Sequence, residues 1–403
     1  MLRVMIAGGG TGGHVYPGIA IYHSLRAAHG DVEVLFVGAK GGVEGGIFAR
    51  LGLPCVLLPG KGVRGKSAVS KIAAPFILKW SVIQAIRAII SFKPDVVVGT
   101  GGYASVSAVA AAAICRKTRI LQEQNSVPGL ANRLMSRIAN LVLLSYEESR
   151  AHLNERVPSV VVGNPLRFDP DRHTCSRSEA LEFFGLKPER TVLIFGGSRG
   201  ARSLNEAGAE AAKILARGEK AQFVFVSGER DFEWVQQELG SFASRIKVIP
   251  FLEEMNKAYA AADVAVARAG ASSVFELAAF GIPTVFVPFP YAADDHQRKN
   301  IAALEKIAAV KAIEDADLSG EVLAALIEWL LDNEGERAAM SDRMRSWAKT
   351  NAASLAAEAI MDLVKKNAPS EMHVLRKSPH SDRGTLAIAD HYCNGARCPS
   401  NES

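Results

Sequence analysis

The 403-residue chain is long enough for two domains, and its 48% hydrophobic content excludes wholesale disorder. A formal charge of +5 suits an acidic ligand or an anionic surface; with no aromatic–basic interleaving it does not point to nucleic acid. Five cysteines, at 55, 115, 175, 393 and 398, match no zinc-site spacing, and their odd number argues against a disulfide framework.

The chain opens on an apolar run at 4–7 with no signal peptide ahead of it, and no run of 18 uncharged apolar residues follows, so a cytosolic chain without a membrane span is expected. The run ends in Gly8-Gly9-Gly10-Thr11-Gly12-Gly13-His14. A buried strand, a tight turn and a helix start in that order aim unpaired backbone N–H groups forward and favour an anion there. The spacing Gly8-x-Gly10-x-x-Gly13 also fits a dinucleotide fingerprint, but the next strand ends Phe36-Val37-Gly38-Ala39-Lys40 without the acid that a ribose would need.

Between 66 and 80, Lys66, Lys71 and Lys79 lie among Ile72, Phe76, Ile77 and Trp80. Positions 72, 76 and 80 share one face of a helix, which is either core or a stripe for an anionic membrane. Val96, Val97 and Val98 lead into Gly99-Thr100-Gly101-Gly102, a second strand–glycine–helix junction. Further strands are expected at 119–121 and 141–144, and the Asn164-Pro165 step with the polar stretch 168–178 predicts a lobe boundary. A third glycine turn, Gly196-Gly197-Ser198-Arg199-Gly200-Ala201, follows a run at 192–195. Strands at 222–226, 246–249, 263–266 and 284–287 alternate with helices such as 203–216 and 272–279. Residues 320–366 read as helical, and 367–403 as an aperiodic, disordered tail. Alternating, continuously apolar strands predict an α/β fold with parallel, doubly wound sheets.

These motifs, with Glu123-Gln124-Asn125, Gly163-Asn164-Pro165-Leu166-Arg167, Arg268-Ala269-Gly270-Ala271, Glu276 and Asp295-His296-Gln297-Arg298-Lys299-Asn300, occur in the order seen in the MurG family of cell-wall UDP-N-acetylglucosamine transferases, which the chain resembles over roughly residues 1 to 365. The resemblance implies the GT-B fold, two Rossmann-like lobes with the active site in the cleft between them. It implies an acceptor and membrane lobe at 1–163, a UDP-GlcNAc lobe at 164–345, and a C-terminal helix at 346–366 that returns to the first lobe. The reaction implied is inverting transfer of GlcNAc to undecaprenyl-pyrophosphoryl-MurNAc-pentapeptide, at the cytoplasmic face of the inner membrane as a peripheral protein. No metal or tightly bound cofactor is expected, and cell-wall synthesis or division proteins are further implied partners.

By that resemblance the donor meets Thr11, Gly12, Gly13, Asn125, Arg167, Ser198, Leu252, Arg268, Gly270, Ala271, Ser272, Ser273, Glu276, His296 and Gln297. Hydroxyls and helix-start amides suit a diphosphate, and Arg167 and Arg268 add directed charge. Glu276 would hold the ribose hydroxyls, the backbone at Leu252 the uracil edge, and His296 and Gln297 the sugar. The acceptor would meet Gly10, Thr100, Gly101, Gly102 and Tyr103, the turns at 10–13 and 99–102 forming a second anion cradle. A helix start favours a neutral imidazole, so His14 is the leading general base, with Glu123 its rival. Two other readings share the fold: a UDP-sugar epimerase or hydrolase, and a non-catalytic sugar-nucleotide-binding protein.

Overall fold

The computed structural model describes the chain except residues 61–67, 169, 171–173, 198–199 and 368–403, and the side chains of 68–73 and 293. Ser198, Lys66, the side chains of Lys71 and Ile72, and the tail from 368 therefore lie outside the described residues.

In the N-terminal lobe, strands β1 (Leu2–Gly8), β2 (Val32–Ala39), β3 (Cys55–Leu58), β4 (Val96–Gly101), β5 (Thr118–Glu123), β6 (Leu141–Leu144) and β7 (Ser159–Val161) form one sheet. Its order is β3-β2-β1-β4-β5-β6-β7, and every pairing is parallel. The helices between them are α1 (Gly12–His29), α2 (Val43–Arg50), α3 (Ala68–Phe92), α4 (Gly102–Ile114) and α5 (Leu130–Met135). In the second lobe β8 (Thr191–Phe195), β9 (Gln222–Val226), β10 (Ile246–Ile249), β11 (Val264–Ala267), β12 (Thr284–Phe286) and β13 (Lys311–Ala312) form a parallel sheet of order β10-β9-β8-β11-β12-β13. Its helices are α6 (Arg177–Phe184), α7 (Arg202–Arg217), α8 (Phe232–Leu239), α9 (Met255–Ala261), α10 (Ala271–Phe280), α11 (His296–Lys306), α12 (Gly320–Asp332) and α13 (Glu334–Trp347). The last helix is α14 (Ala352–Asn367).

Parallel strands covered on both faces read as largely apolar runs, and β4, β8 and β9 are buried along their whole length, their polar residues confined to the ends. Such a sheet carries its ligand site beyond the strand C-termini where the winding reverses. That point lies between β1 and β4 in one lobe and between β8 and β11 in the other. All three glycine turns stand at these two places.

The lobes are joined twice. The chain leaves β7 through Gly163, Asn164 and Pro165, and it comes back after α13. Helix α14 buries Ala356, Ala357 and Ile360 in the N-lobe core beside Val4, Val15 and Phe36. Where the crossings meet, a Cβ on Gly163 (φ +89°) would stand 2.8 Å from Lys349 and 3.2 Å from Ala352. Tyr146, Phe275 and Trp347 stack there as one aromatic cluster, with ring centroids 4.8–6.0 Å apart.

Helix α3 decides between the two readings its sequence left open. The segment Ala74–Phe92 is long and apolar enough to cross a membrane by length and composition, with a mean hydropathy of 1.3, although it carries Lys79 and Arg87. In the fold its inner face, Ser81, Ala85 and Ile89, is buried against the lobe. Its outer face leaves Phe76 75% and Trp80 48% exposed, with Ile77 beside them, so this stripe is not core.

Candidate active site

The first glycine turn and the second are one structure. Glycine at 8 and 102 is required by contact between them: a Cβ on Gly8 would lie 2.0 Å from Thr100 Oγ1, and one on Gly102 (φ +79°) 2.3 Å from the Gly9 carbonyl oxygen. The His14 ring lies against Gly101 (φ +106°), where a Cβ would stand 3.1 Å from Nε2. Its Nδ1 faces the Gly9 carbonyl at 2.9 Å. A carbonyl only accepts, so Nδ1 carries the proton and Nε2 is left as the basic nitrogen.

This geometry changes the reading of two acceptor residues. Thr100 is buried; its hydroxyl donates to the His14 main-chain carbonyl (2.6 Å), and its own carbonyl accepts from Gln124 Nε2 (2.7 Å). Its polar groups serve the frame that holds α1, not an acceptor. The Gly10 N–H, expected in the anion cradle, donates to the buried Glu44 carboxylate at 3.1 Å. Tyr103 packs its ring on Gly60, and burial raises the pKa of its hydroxyl.

Glu123 is placed as a loop organiser. It is buried, and its carboxylate accepts from the Asn125 N–H (2.9 Å), Asn125 Nδ2 (3.2 Å), the Gly129 N–H (3.2 Å) and Asn132 Nδ2 (2.8 Å). Burial raises its pKa, opposed by the bonds from Asn125 and Asn132. Four donors occupy both oxygens, and the group's evident work is to fix Asn125.

Across the cleft, α10 begins at Ala271 with Gly270 as N-cap, and α1 at Gly12 with Thr11 as N-cap; neither cap accepts a side-chain hydrogen bond. The two helix starts face each other: a Cβ on Gly13 would be 3.6 Å from Ser272 Oγ. That hydroxyl is buried and has no hydrogen-bond partner among the described residues. Ser273 lies in the same first turn. Two uncapped helix starts and an orphan hydroxyl in one place are groups that favour an anion.

Glu276 is buried farther along α10 and accepts from Tyr259 Oη at 2.6 Å. Burial raises its pKa, against the opposing effect of Tyr259 and Arg167. The Arg167 guanidinium stacks on the Tyr16 ring at 4.0 Å, bridging the lobes. Leu252, in the β10–α9 loop, is buried while Phe251 beside it is partly open. Gln297, in the first turn of α11, accepts from the Phe289 N–H at 2.9 Å; His296 precedes it.

Arg268 departs from its expected role. Its guanidinium is buried, donating to the Val287 and Pro288 carbonyls (both 3.1 Å) and to Ser203 Oγ (2.6 Å), and pairing with Asp315 (2.6 Å). It pins β11 to the start of α7 rather than reaching into the cleft.

Three residues that the sequence reading did not assign complete the site. Glu44 sits beneath the first turn, Tyr259 holds Glu276, and Asn300 latches the lobes. Asn300 is buried; it accepts from the Ser126 N–H (2.9 Å) and Oγ (3.1 Å) and donates to the Ala269 carbonyl (3.1 Å) and Asn125 Oδ1 (3.3 Å). Its place in the Asp295–Asn300 motif was the only sequence signal. The ion pairs Arg50–Glu253 and Arg133–Asp294, both 2.7 Å and largely exposed, add little to that latch.

Two doubly wound parallel lobes, each opening a helix onto a common cleft, define a GT-B fold. Residues 4–144 match the glycosyltransferase family 28 N-terminal domain and residues 191–360 its C-terminal domain. The chain belongs to glycosyltransferase family 28. It is 40% identical over 370 residues, 90% of this chain and all of the relative, to the UDP-N-acetylglucosamine–N-acetylmuramyl-(pentapeptide) pyrophosphoryl-undecaprenol N-acetylglucosamine transferase of Chlorobaculum tepidum. The Myxococcus xanthus protein of the same name is 36% identical, covering 90% of this chain and 94% of its own. Among solved structures, Acinetobacter baumannii MurG superposes with a TM-score of 0.67 at 29% identity, covering 91% of this chain and all of the other. A Staphylococcus aureus MnaA–UDP structure superposes with a TM-score of 0.68 at 15% identity and covers 95% of this chain and all of its own, a likeness of fold alone.

The raised pKa of Glu276 has a measurable consequence. A carboxyl whose folded pKa exceeds its unfolded value contributes stability below the unfolded pKa, and that contribution is lost as pH rises through the folded pKa. At neutral pH the buried carboxylate is therefore a cost, and Glu276→Gln, which still accepts from Tyr259, should melt at or above the wild-type temperature at pH 7.5. The difference should shrink toward pH 4. Thermal melts of the unliganded proteins across that range check it; a variant less stable at every pH would contradict it.

Proposed function

We propose that the chain transfers N-acetylglucosamine from UDP-GlcNAc to the muramoyl sugar of undecaprenyl-pyrophosphoryl-MurNAc-pentapeptide, with inversion at the anomeric carbon and release of UDP. It is a hexosyltransferase of peptidoglycan synthesis, making lipid II from lipid I. The observation that carries the reading is the pair of uncapped helix starts, α1 and α10, that face each other with Ser272 Oγ unpartnered between them.

A diphosphate leaving group gains negative charge as its bond to the sugar breaks, and preorganised N–H donors stabilise that charge most where water is excluded. The start of α10, with Gly270, Ala271, Ser272 and Ser273, takes the diphosphate; Thr11, Gly12 and Gly13 close over it from the other lobe. Charge is met by main-chain dipoles, so no metal is invoked. Glu276, kept in place by Tyr259, accepts the ribose hydroxyls, and the backbone beside Leu252 meets the uracil. His296, Gln297 and Asn125 surround the sugar.

On the acceptor side, Nε2 of His14 takes the proton from the attacking hydroxyl while Nδ1–H stays on the Gly9 carbonyl. Gly101, Gly102 and Tyr103 border the acceptor path.

The transfer is tested with UDP-GlcNAc and a lipid-linked muramoyl acceptor. UDP release matched by disaccharide product supports it, whereas UDP-sugar epimerisation, or binding without turnover, would replace it. In the same assay His14→Ala should lower kcat by about 10²–10⁴-fold, the range for loss of a general base. Calorimetric UDP affinity should stay near wild type. A near-normal kcat would remove His14 from that role.

The acceptor's polyprenyl chain stays in the bilayer, so the site must come to the surface. The outer face of α3, with Phe76, Ile77, Trp80 and Lys79, is the surface that docks on anionic headgroups, apolar tips inserted and the lysine at the phosphates. The protein is then peripheral on the cytoplasmic face of the inner membrane. Replacing Phe76 and Trp80 together by Ser should reduce binding to vesicles containing anionic lipid, with UDP affinity kept. Wild-type binding should also weaken with added salt. Unchanged vesicle binding by the double variant would place the docking surface elsewhere.

A further inference from the structure

Glu44 is a carboxylate that packing alone does not explain. It sits in the first turn of α2 and is 0% exposed. Three glycines make room for it: a Cβ on Gly9, Gly38 or Gly42 would stand 2.1, 2.5 or 2.3 Å from its side chain. Its Oε1 accepts from the Ala39 N–H (2.9 Å), and its Oε2 from the Gly10 N–H (3.1 Å). Burying an ionised carboxylate is expensive even when it is hydrogen-bonded, and a neutral side chain would fill the space at lower cost.

The Gly10 N–H and the Gly9 C=O belong to the same peptide group. On one side that group donates to Glu44; on the other it accepts from His14 Nδ1 at 2.9 Å. An amide is conjugated from nitrogen to oxygen. A negative charge accepting its N–H pushes electron density onto its oxygen, and hydrogen bonds in such a chain strengthen one another. The peptide cannot rotate away, because Gly102 lies against the Gly9 oxygen.

We propose that Glu44 is a positioning residue of the transfer, acting on His14 through the Gly9–Gly10 peptide as an acid in direct contact would act on a histidine base. It fixes the tautomer that leaves Nε2 bare and tightens the bond at Nδ1 as the ring becomes charged. In the step it serves, the acceptor oxygen bonds to the anomeric carbon and the bond from that carbon to the UDP oxygen breaks, its electron pair leaving with UDP. The acceptor proton passes to His14 Nε2, and none passes to Glu44. Glu123, the other carboxylate near the ring, is occupied by Asn125, Gly129 and Asn132.

The inference rests on His14 being the base, and a double-mutant cycle separates the two. Glu44→Gln keeps the shape, loses the charge and presents an amide NH₂ to one of the two main-chain donors. It should lower kcat by about 10- to 100-fold, the range seen when the hydrogen-bond partner that orients a metal-bound histidine is removed. The KM for UDP-GlcNAc should stay within about twofold. In a His14→Ala background the same change should alter kcat by less than about twofold. An equal loss in both backgrounds would make Glu44 a merely structural residue and overturn the relay. A His14→Ala enzyme with near-normal kcat would instead bring down the base assignment, and the relay with it. Nitrogen-15 spectra of histidine-labelled wild type should show the Nδ1–H tautomer for His14; an Nε2–H tautomer would also overturn the relay. Should Glu44→Gln not fold, Glu44→Asp, which draws the carboxylate a methylene away from the Gly10 N–H, is put through the same cycle: a kcat loss present in the wild-type background and absent in His14→Ala supports the relay, and an equal loss in both overturns it.

Discussion

The N-terminal half of the site depends on how closely two loops of main chain can approach. At the switch point between β1 and β4, the Gly9 carbonyl lies where the Cβ of any residue but glycine at 102 would stand. That approach brings the His14 ring against Gly101 and lets one peptide group touch both a buried acid and the imidazole. Thr100 then ties the start of α1 to β4 through the His14 carbonyl. Steric exclusion, rather than any single strong bond, sets the position of the reactive nitrogen.

The second lobe reaches its half of the cleft differently. Here the working part is a helix start with bare amides, and polar side chains behind it hold it rigid. Arg268 is spent on that rigidity, buried among main-chain carbonyls and Asp315. Glu276 is kept in a setting that disfavours its charged form. Sites built for a ligand often hold groups that the unliganded protein would be more stable without.

Much of this was legible in the sequence, and the division has a physical basis. Continuous apolar strands alternating with helices, and glycine turns directly after strands, report on local backbone, so the doubly wound lobes and the helix starts at Gly12 and Ala271 could be read directly. Glu44, Tyr259 and Asn300 could not. Each is a single polar residue whose meaning comes from what the topology brings beside it: a turn from another β–α unit, a helix from a neighbouring β–α unit, a loop from the other lobe. Arg268 was misread for the same reason. Its place next to Gly270 suggested the diphosphate, but sequence adjacency does not show which way a long side chain runs, and its partners lie far along the chain. The stripe on α3 was undecided between core and surface because helical spacing is the same for both; only the exposure of Phe76 and Trp80 separates them.

The return of α14 to the first lobe has a mechanical meaning. A chain that passes once between two bodies leaves them free to swing and twist about a single tether. Here it passes twice, and the crossings touch, Gly163 against Lys349 and Ala352. Two tethers in contact behave like two pins of one door hinge, permitting rotation about the line through them and resisting twist and sideways slip. A cleft mounted in that way would keep the two helix starts in register under any widening or narrowing, with Gly13 returning to its place opposite Ser272.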